Sequence, residues 1–227
     1  NDDQGVLRYS IVTSGKRLTD EEVDQVCESI RKIKEETNIE VCFSFGLLKE
    51  EQLRKVREAG ATRAHCNLET SRRYFPEICT THTYDQKIET LKAAVAAGLS
   101  ICSGGIMGLG ETLEDRVDMV LTAKELGVKS VPVNFLNPIP GTPYEDNKPL
   151  TDEEARQCVA VFRFIIPDAS IRLAGGRGLL DDKGKECFQS GANAAISGDM
   201  LTTAGITVQK DMEMLKDLGY KPQLWED

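Results

Sequence analysis

With 227 residues, 40% of them hydrophobic and 29% charged, the chain is long enough to bury a sizeable core as one globular domain spanning 1–227. A net charge of −9 and an isoelectric point near 4.9 argue against a nucleic-acid or anionic-membrane surface. No apolar run approaches the roughly 18 residues of a membrane span and no secretory signal pattern is visible, so a cytoplasmic protein is expected.

Strand-like apolar runs alternate with helical patterns along the chain. The first run, 7–13, sets Arg8, Ser10 and Val12 on one face, because successive side chains of a strand point to opposite sides. Thr19 followed by Asp20, Glu21 and Glu22 marks a helix start whose acidic first turn suits the helix dipole. The second strand, 39–45, puts Cys42 with Ser44 and leaves Val41, Phe43 and Phe45 opposite. A helix over 50–59 stops at Gly60. The third strand, 63–68, groups Arg63, His65 and Asn67, with Glu69 following on the same parity, against Ala64, Cys66 and Leu68.

A helix over 84–97 leads to the fourth strand, 99–107, which places Cys102 with Gly104 and Ile106. Its end, SGGIMGLGE, is glycine-rich, and bare backbone there lets a flat ligand approach closely. Helices over 112–126 and 151–165 each open with Thr followed by an acidic turn. Between them the strand 130–136 carries Pro132 and Asn134 on one face and continues into the stiff loop NPIPGTP, 137–143. The last strands, 170–174 and 194–198, place Arg172 with Ala174 and close the pattern.

Seven strands separated by helices imply a parallel α/β sheet. A TIM-type (β/α)8 barrel has about 250 residues and eight such units, so the expected fold is that barrel with its first βα unit missing. A doubly wound sheet is the alternative, weakened because no Gly-rich dinucleotide turn follows the first strand. One face of each strand collects Ser, Cys, His, Asn, Glu and Arg where a barrel interior normally carries branched apolar residues. Burying that many polar groups is costly unless a ligand or cofactor satisfies them.

Seven cysteines without a CxxC pair argue against a disulfide framework and leave metal ligation or plain burial. Cys27, Cys158 and Cys187 fall on helices and read as small hydrophobes. Parity turns Cys66 toward the core, and Cys79, in a loop, is assigned to neither class. Cys42 and Cys102, on polar faces, are candidate metal ligands. His65 reads as either a satisfied core histidine or a ligand. Arg172 is too costly to bury without an anionic partner, which points to a site role.

The stretches CNLETS (66–71), TTHTYDQKIETL (80–91), CSGGIMGLGET (102–112), SVPVNFLNPIPGTP (130–143), IRLAGGR (171–177) and GANAAISGDMLTT (191–203) together give the chain a specific resemblance. Over nearly its whole length it resembles the biotin synthase family of radical S-adenosylmethionine (SAM) enzymes. The resemblance implies sulfur insertion converting dethiobiotin to biotin, with an adenosyl radical from SAM and sulfide from an auxiliary iron–sulfur cluster (2Fe–2S in type). It also implies a four-iron (4Fe–4S) cluster, an electron donor such as flavodoxin or ferredoxin, and a possible homodimer. By position, Cys42 and Cys102 match two auxiliary-cluster cysteines and Arg172 the family's arginine ligand. Asn67, Glu69 and Asn134 match positions that contact dethiobiotin or SAM. Lys87 stands where a basic residue faces the SAM carboxylate, and the strand of Ile106 lies against the adenine. No catalytic residue beyond these ligands is implied.

The chain departs from that pattern. Ser10 stands where the family has its third auxiliary cysteine. His65 replaces a common asparagine, Cys66 a common histidine and Glu69 a usual aspartate, so the auxiliary cluster is expected on Cys42 and Cys102 with His65 or Cys66 added. The CxxxCxxC that holds the four-iron cluster is absent. Absence of both the first strand and that motif reads as a C-terminal part of such an enzyme, inactive alone. The alternatives are a related radical SAM enzyme, such as the hydrogenase maturase or methylornithine synthase relatives, or a non-catalytic barrel binding an anionic small molecule through Arg8, Arg63 and Arg172.

Overall fold

Threonine caps set the rhythm of the fold in the computed structural model, which describes residues 2–198 and 205–224. The helices α1 (Asp20–Glu36), α4 (Tyr84–Ala96), α5 (Leu113–Glu125) and α6 (Asp152–Ile165) begin at Thr19, Thr83, Thr112 and Thr151. Each threonine hydroxyl accepts from a backbone N–H in the first turn. The residue three positions on, Glu22, Gln86, Asp115 or Glu154, accepts the cap's own N–H in return. Such a cap is worth about 1 kcal/mol and fixes where each strand hands over to its helix. The shorter helices are α2 (Glu50–Glu58), α3 (Phe75–Ile78), α7 (Lys185–Gln189) and α8 (Val208–Asp217).

The strands are β1 (Arg8–Val12), β2 (Glu40–Ser44), β3 (Ala61–His65), β4 (Ser100–Cys102), β5 (Gly105–Met107), β6 (Ser130–Phe135), β7 (Ser170–Leu173) and β8 (Ala194–Ala195). All pairs are parallel, in the order β1-β2-β3-β4-β6-β7-β8, with β5 also on β6. Sequential neighbours joined by helices, with β1 and β8 at the two ends of the path, make a parallel α/β sheet consistent with a barrel lacking one unit.

Two boundaries differ from expectation. The run 99–107 is two short strands rather than one. Ser103 interrupts it by donating its hydroxyl to the Cys66 carbonyl at 2.8 Å and accepting the Leu68 N–H. The final strand shrinks to Ala194–Ala195, and residues 199–203 of the 191–203 motif lie outside the described residues.

The outer faces of the strands pack on the helices. Val41, Phe43, Ala64, Ile101, Val131, Val133, Ile171 and Leu173 are buried in one cluster with Val23, Ile30, Leu53, Leu91, Met119 and Phe162. Full burial of each large side chain is worth about 1.5–3 kcal/mol, and that outward investment holds the opposite, polar face of every strand in place. Among the described residues no helix is long and apolar enough to cross a membrane.

Candidate functional site

The polar faces of β1, β2, β3, β5, β6 and β7 line one cavity of about 1640 Å³. A single cavity touching so many strands means the sheet wraps around it. At one end, Ser10, Cys42 and Arg63 form a row across β1, β2 and β3 in direct register. The Ser10 side chain hydrogen-bonds Cys42, whose thiol also donates to the Tyr9 carbonyl at 3.5 Å. Burial pushes the Cys42 thiol up, Ser10, Arg172 and Arg8 pull it down, and the nearby Cys102 pushes it up.

Three guanidinium groups share this end. Arg8 donates to Thr62 Oγ1 at 2.7 Å and Arg63 to Ser100 Oγ at 2.9 Å. Burial first, then the charges of Arg63 and Arg172, lower the Arg8 pKa, the mark of cations held close together. Arg172, the register partner of Pro132 and Ala194, faces the same space. His65 lies among them. Burial, and after it Arg172, Arg63 and Arg8, hold its pKa well below the usual imidazole range, so the ring is neutral. Its Nε2 is buried without a hydrogen-bond partner.

Further along, Asn67 Oδ1 accepts the Gly104 N–H at 3.3 Å, and the Asn67 side chain also bonds Glu69. Glu69 adopts φ +70, rare for a residue with a side chain, because its backbone N–H and C=O are both tied to the 104–106 segment. Burial raises its carboxyl pKa while Lys87 and Asn67 lower it, and one carboxyl oxygen has no partner. Asn134 ties two strand ends together, donating to the Gly105 carbonyl at 3.1 Å and accepting the Gly175 N–H at 2.9 Å. Lys87, over the Phe75 ring at 6.0 Å, and Ile106 complete this part of the wall.

Cys42, His65, Cys66, Asn67, Glu69, Lys87, Ile106, Asn134 and Arg172 therefore meet on one cavity. Cys102 does not line it. This residue is the register partner of both His65 and Ser130 and is fully buried. Cys66 touches the cavity but also packs in the core, and its thiol is pushed up to about 11, mainly by burial. Among the described residues no group of three or more His, Cys, Asp or Glu side chains is arranged to hold a metal ion, so a set of Cys42, Cys102 and either His65 or Cys66 is not preassembled.

The glycine-rich segment is a correction. A Cβ on Gly104 would lie 2.0 Å from the Pro132 carbonyl oxygen, and one on Gly105 2.2 Å from that of Glu69. These glycines let neighbouring strands close on one another, not on a ligand. The sequence left Cys79 unassigned and unpaired with His82, although their Cys-x-x-His spacing in one short loop was the available signal, and gave no signal for the buried Arg177–Asp211 pair, 34 residues apart.

The Radical SAM superfamily model matches residues 2–123 and the Biotin and Thiamin Synthesis associated domain matches 132–221. The sheet runs on across that junction through β4–β6 and β5–β6 pairing. The chain is 61% identical over 220 residues to biotin synthase 2 of Corynebacterium diphtheriae, covering 97% of this chain and 67% of that protein. It is 58% identical to the biotin synthases of Akkermansia muciniphila and Brachyspira hyodysenteriae, covering 99% of this chain and 70% and 67% of theirs. Among solved structures, methylornithine synthase aligns with a TM-score of 0.82 at 19% identity, covering 96% of this chain and 69% of that one. The FeFe-hydrogenase maturase of Carboxydothermus hydrogenoformans aligns with 0.81 at 16% identity, covering 99% and 57%. At such identities these two speak for the fold alone.

Proposed function

Because the chain belongs to the biotin synthase family of radical SAM sulfurtransferases, we propose that it forms, as a single barrel domain, the wall within which dethiobiotin receives sulfur from an auxiliary iron–sulfur cluster at the Cys42 and Arg172 end of the cavity. The observation that carries this reading is the convergence of a buried thiol, a neutral unpartnered imidazole and three arginines at one end of a cavity whose other end is lined by amides, a carboxyl and a lysine.

The family uses SAM and iron–sulfur clusters; when bound, SAM supplies a hydrogen-abstracting radical and the auxiliary cluster supplies sulfide. Cys42, Cys102 and Arg172 are the residues that would hold the auxiliary group. The donor chemistry fits: two thiols close enough to act on one another, a nearby guanidinium, and a buried His65 Nε2 with no partner of its own. Imidazole can replace thiolate at such centres and raises their potential. Cys66 is the weaker further donor, because core packing holds its thiol protonated. Arg8 and Arg63 add positive charge that favours an anionic cluster. With no CxxxCxxC in its sequence, this chain assigns no residue to the four-iron cluster.

The remaining residues bind and orient. Asn134 spends one N–H and one lone pair on Gly105 and Gly175, which fixes the amide and leaves its second N–H and second lone pair for dethiobiotin. Asn67, braced by Gly104 and with one amide N–H on the Glu69 carboxyl, offers its other N–H beside it. Lys87 would hold the SAM carboxylate, Ile106 would offer an apolar wall to the adenine, and Glu69 would take a polar group of SAM or substrate. An electron donor such as flavodoxin or ferredoxin is the matching partner.

Calorimetric titration of dethiobiotin into the anaerobically reconstituted chain tests this assignment. The wild type is expected to bind saturably and Asn67→Ala about tenfold more weakly, the loss of roughly one hydrogen bond. A wild type that binds no dethiobiotin would overturn it.

A further inference from the structure

Six of the seven cysteines are buried and only Cys79, between α3 and α4, reaches solvent. Its sulfur lies 3.4 Å from His82 Nδ1 and 3.7 Å from Nε2, with Thr81 Oγ1 3.6 Å from the sulfur and 2.9 Å from Nδ1. The imidazole is held edge-on by Phe75, ring centroids 5.7 Å apart, and Lys16 donates to the Thr81 carbonyl at 3.0 Å. Burial, then the charges of Lys87 and Lys16, lower the His82 pKa, so this ring stands neutral and able to take a proton. Burial alone would raise the Cys79 thiol. Hydrogen bonds from Thr81, the backbone and Lys87's charge outweigh it and bring the thiol below its ordinary value.

We propose that Cys79 is an exchange-competent thiol which, with His82 as its base, forms reversible mixed disulfides with small anionic disulfides beside the cavity wall. His82 takes the thiol proton, and the thiolate attacks one sulfur of the disulfide. A Cys79 S–S bond forms as the original S–S bond breaks, and the departing thiolate takes the proton from His82. The disulfide is itself the oxidant, so electrons balance. Lys16 and Lys87 favour an anionic partner. His82 and Lys87 line the cavity, so the adduct sits where it narrows access whatever the cavity binds.

The folded chain is exposed to oxidised glutathione, which is anionic, and to cystamine, which is cationic. Each rate is normalised to that reagent's rate with free cysteine, and adducts are located by peptide mapping. The expected result is one adduct per chain on Cys79, removed by dithiothreitol. A thiol held below its ordinary pKa gains more in thiolate fraction than it loses in nucleophilicity, so the glutathione rate is expected to exceed that of free cysteine. His82→Gln returns it to the free-cysteine level or below, and Lys16→Gln narrows the preference for glutathione over cystamine. A first adduct on any other cysteine, a wild-type rate no faster than free cysteine, or an unchanged rate in a folded His82→Gln variant would overturn the proposal. Should His82→Gln fail to fold, the wild-type ratio still decides.

Discussion

Ser10 and Cys42 are register partners on adjacent parallel strands, and their side chains hydrogen-bond inside the cavity. A hydroxyl is a hard donor and a thiolate a soft one, and iron–sulfur centres favour the latter. Ser10→Cys is therefore expected to make the reconstituted chain hold its iron longer under a chelator challenge than the wild type. Loss of iron with wild-type kinetics would show that position 10 does not face the cluster.

The strand periodicity was legible enough to predict a parallel barrel-like sheet, because the apolar faces alternate cleanly and Thr19, Thr112 and Thr151 cap the helices they announce. The same parity brought Arg63, His65 and Asn67 to one face. The strand bounds failed at Ser103, which breaks the 99–107 run into two strands by bonding the Cys66 carbonyl and the Leu68 N–H. Cys102, ahead of that break, is the register partner of His65 and so shares its face, but it is fully buried and outside the cavity lining. Arg177 and Asp211, 34 residues apart, had no periodic signature to follow, and Cys79 with His82 had only its local Cys-x-x-His spacing.

Gly104→Ala places a Cβ 2.0 Å from the Pro132 carbonyl oxygen and 2.9 Å from its carbonyl carbon, rigid backbone that has to shift. The substitution is expected to cost about 3 kcal/mol in urea unfolding. Gly178→Ala, which meets nothing within 4 Å, is the control and stays within about 0.5 kcal/mol of wild type. Equal costs at the two sites would contradict the packing account.

Arg177 and Asp211 are buried together, at 1% and 5% side-chain exposure, with N–O distances of 2.7 and 2.8 Å, and they clamp α8 against the loop after β7. Removing one partner strands the other charge, so Asp211→Ala is expected to lose about 3–5 kcal/mol of stability. The same variant is expected to become sensitive to proteolysis within 208–217. A loss below 1 kcal/mol would mean the pair is not closed in solution.

Asp115 is a buried carboxylate. Burial alone raises its pKa, but hydrogen bonds from Ser71, the Thr112 N–H, Arg73 and the Thr112 hydroxyl hold it far below the usual range. A folded pKa depressed below the unfolded value adds stability at pH above about 4, and that stability is lost as pH falls toward the folded value. Asp115→Asn is expected to lower stability at neutral pH and to flatten its decline between about pH 4 and pH 2. A variant with the wild-type acid slope would assign the acid limb to other carboxylates.

The most direct test of the central claim is the iron and labile-sulfide content of the anaerobically reconstituted chain, wild type against Cys42→Ala, Cys102→Ala. An auxiliary cluster held by these two thiols predicts charge-transfer absorption with bound iron and sulfide in the wild type, and the loss of all three in the double variant. Unchanged iron and sulfide in the variant would contradict it.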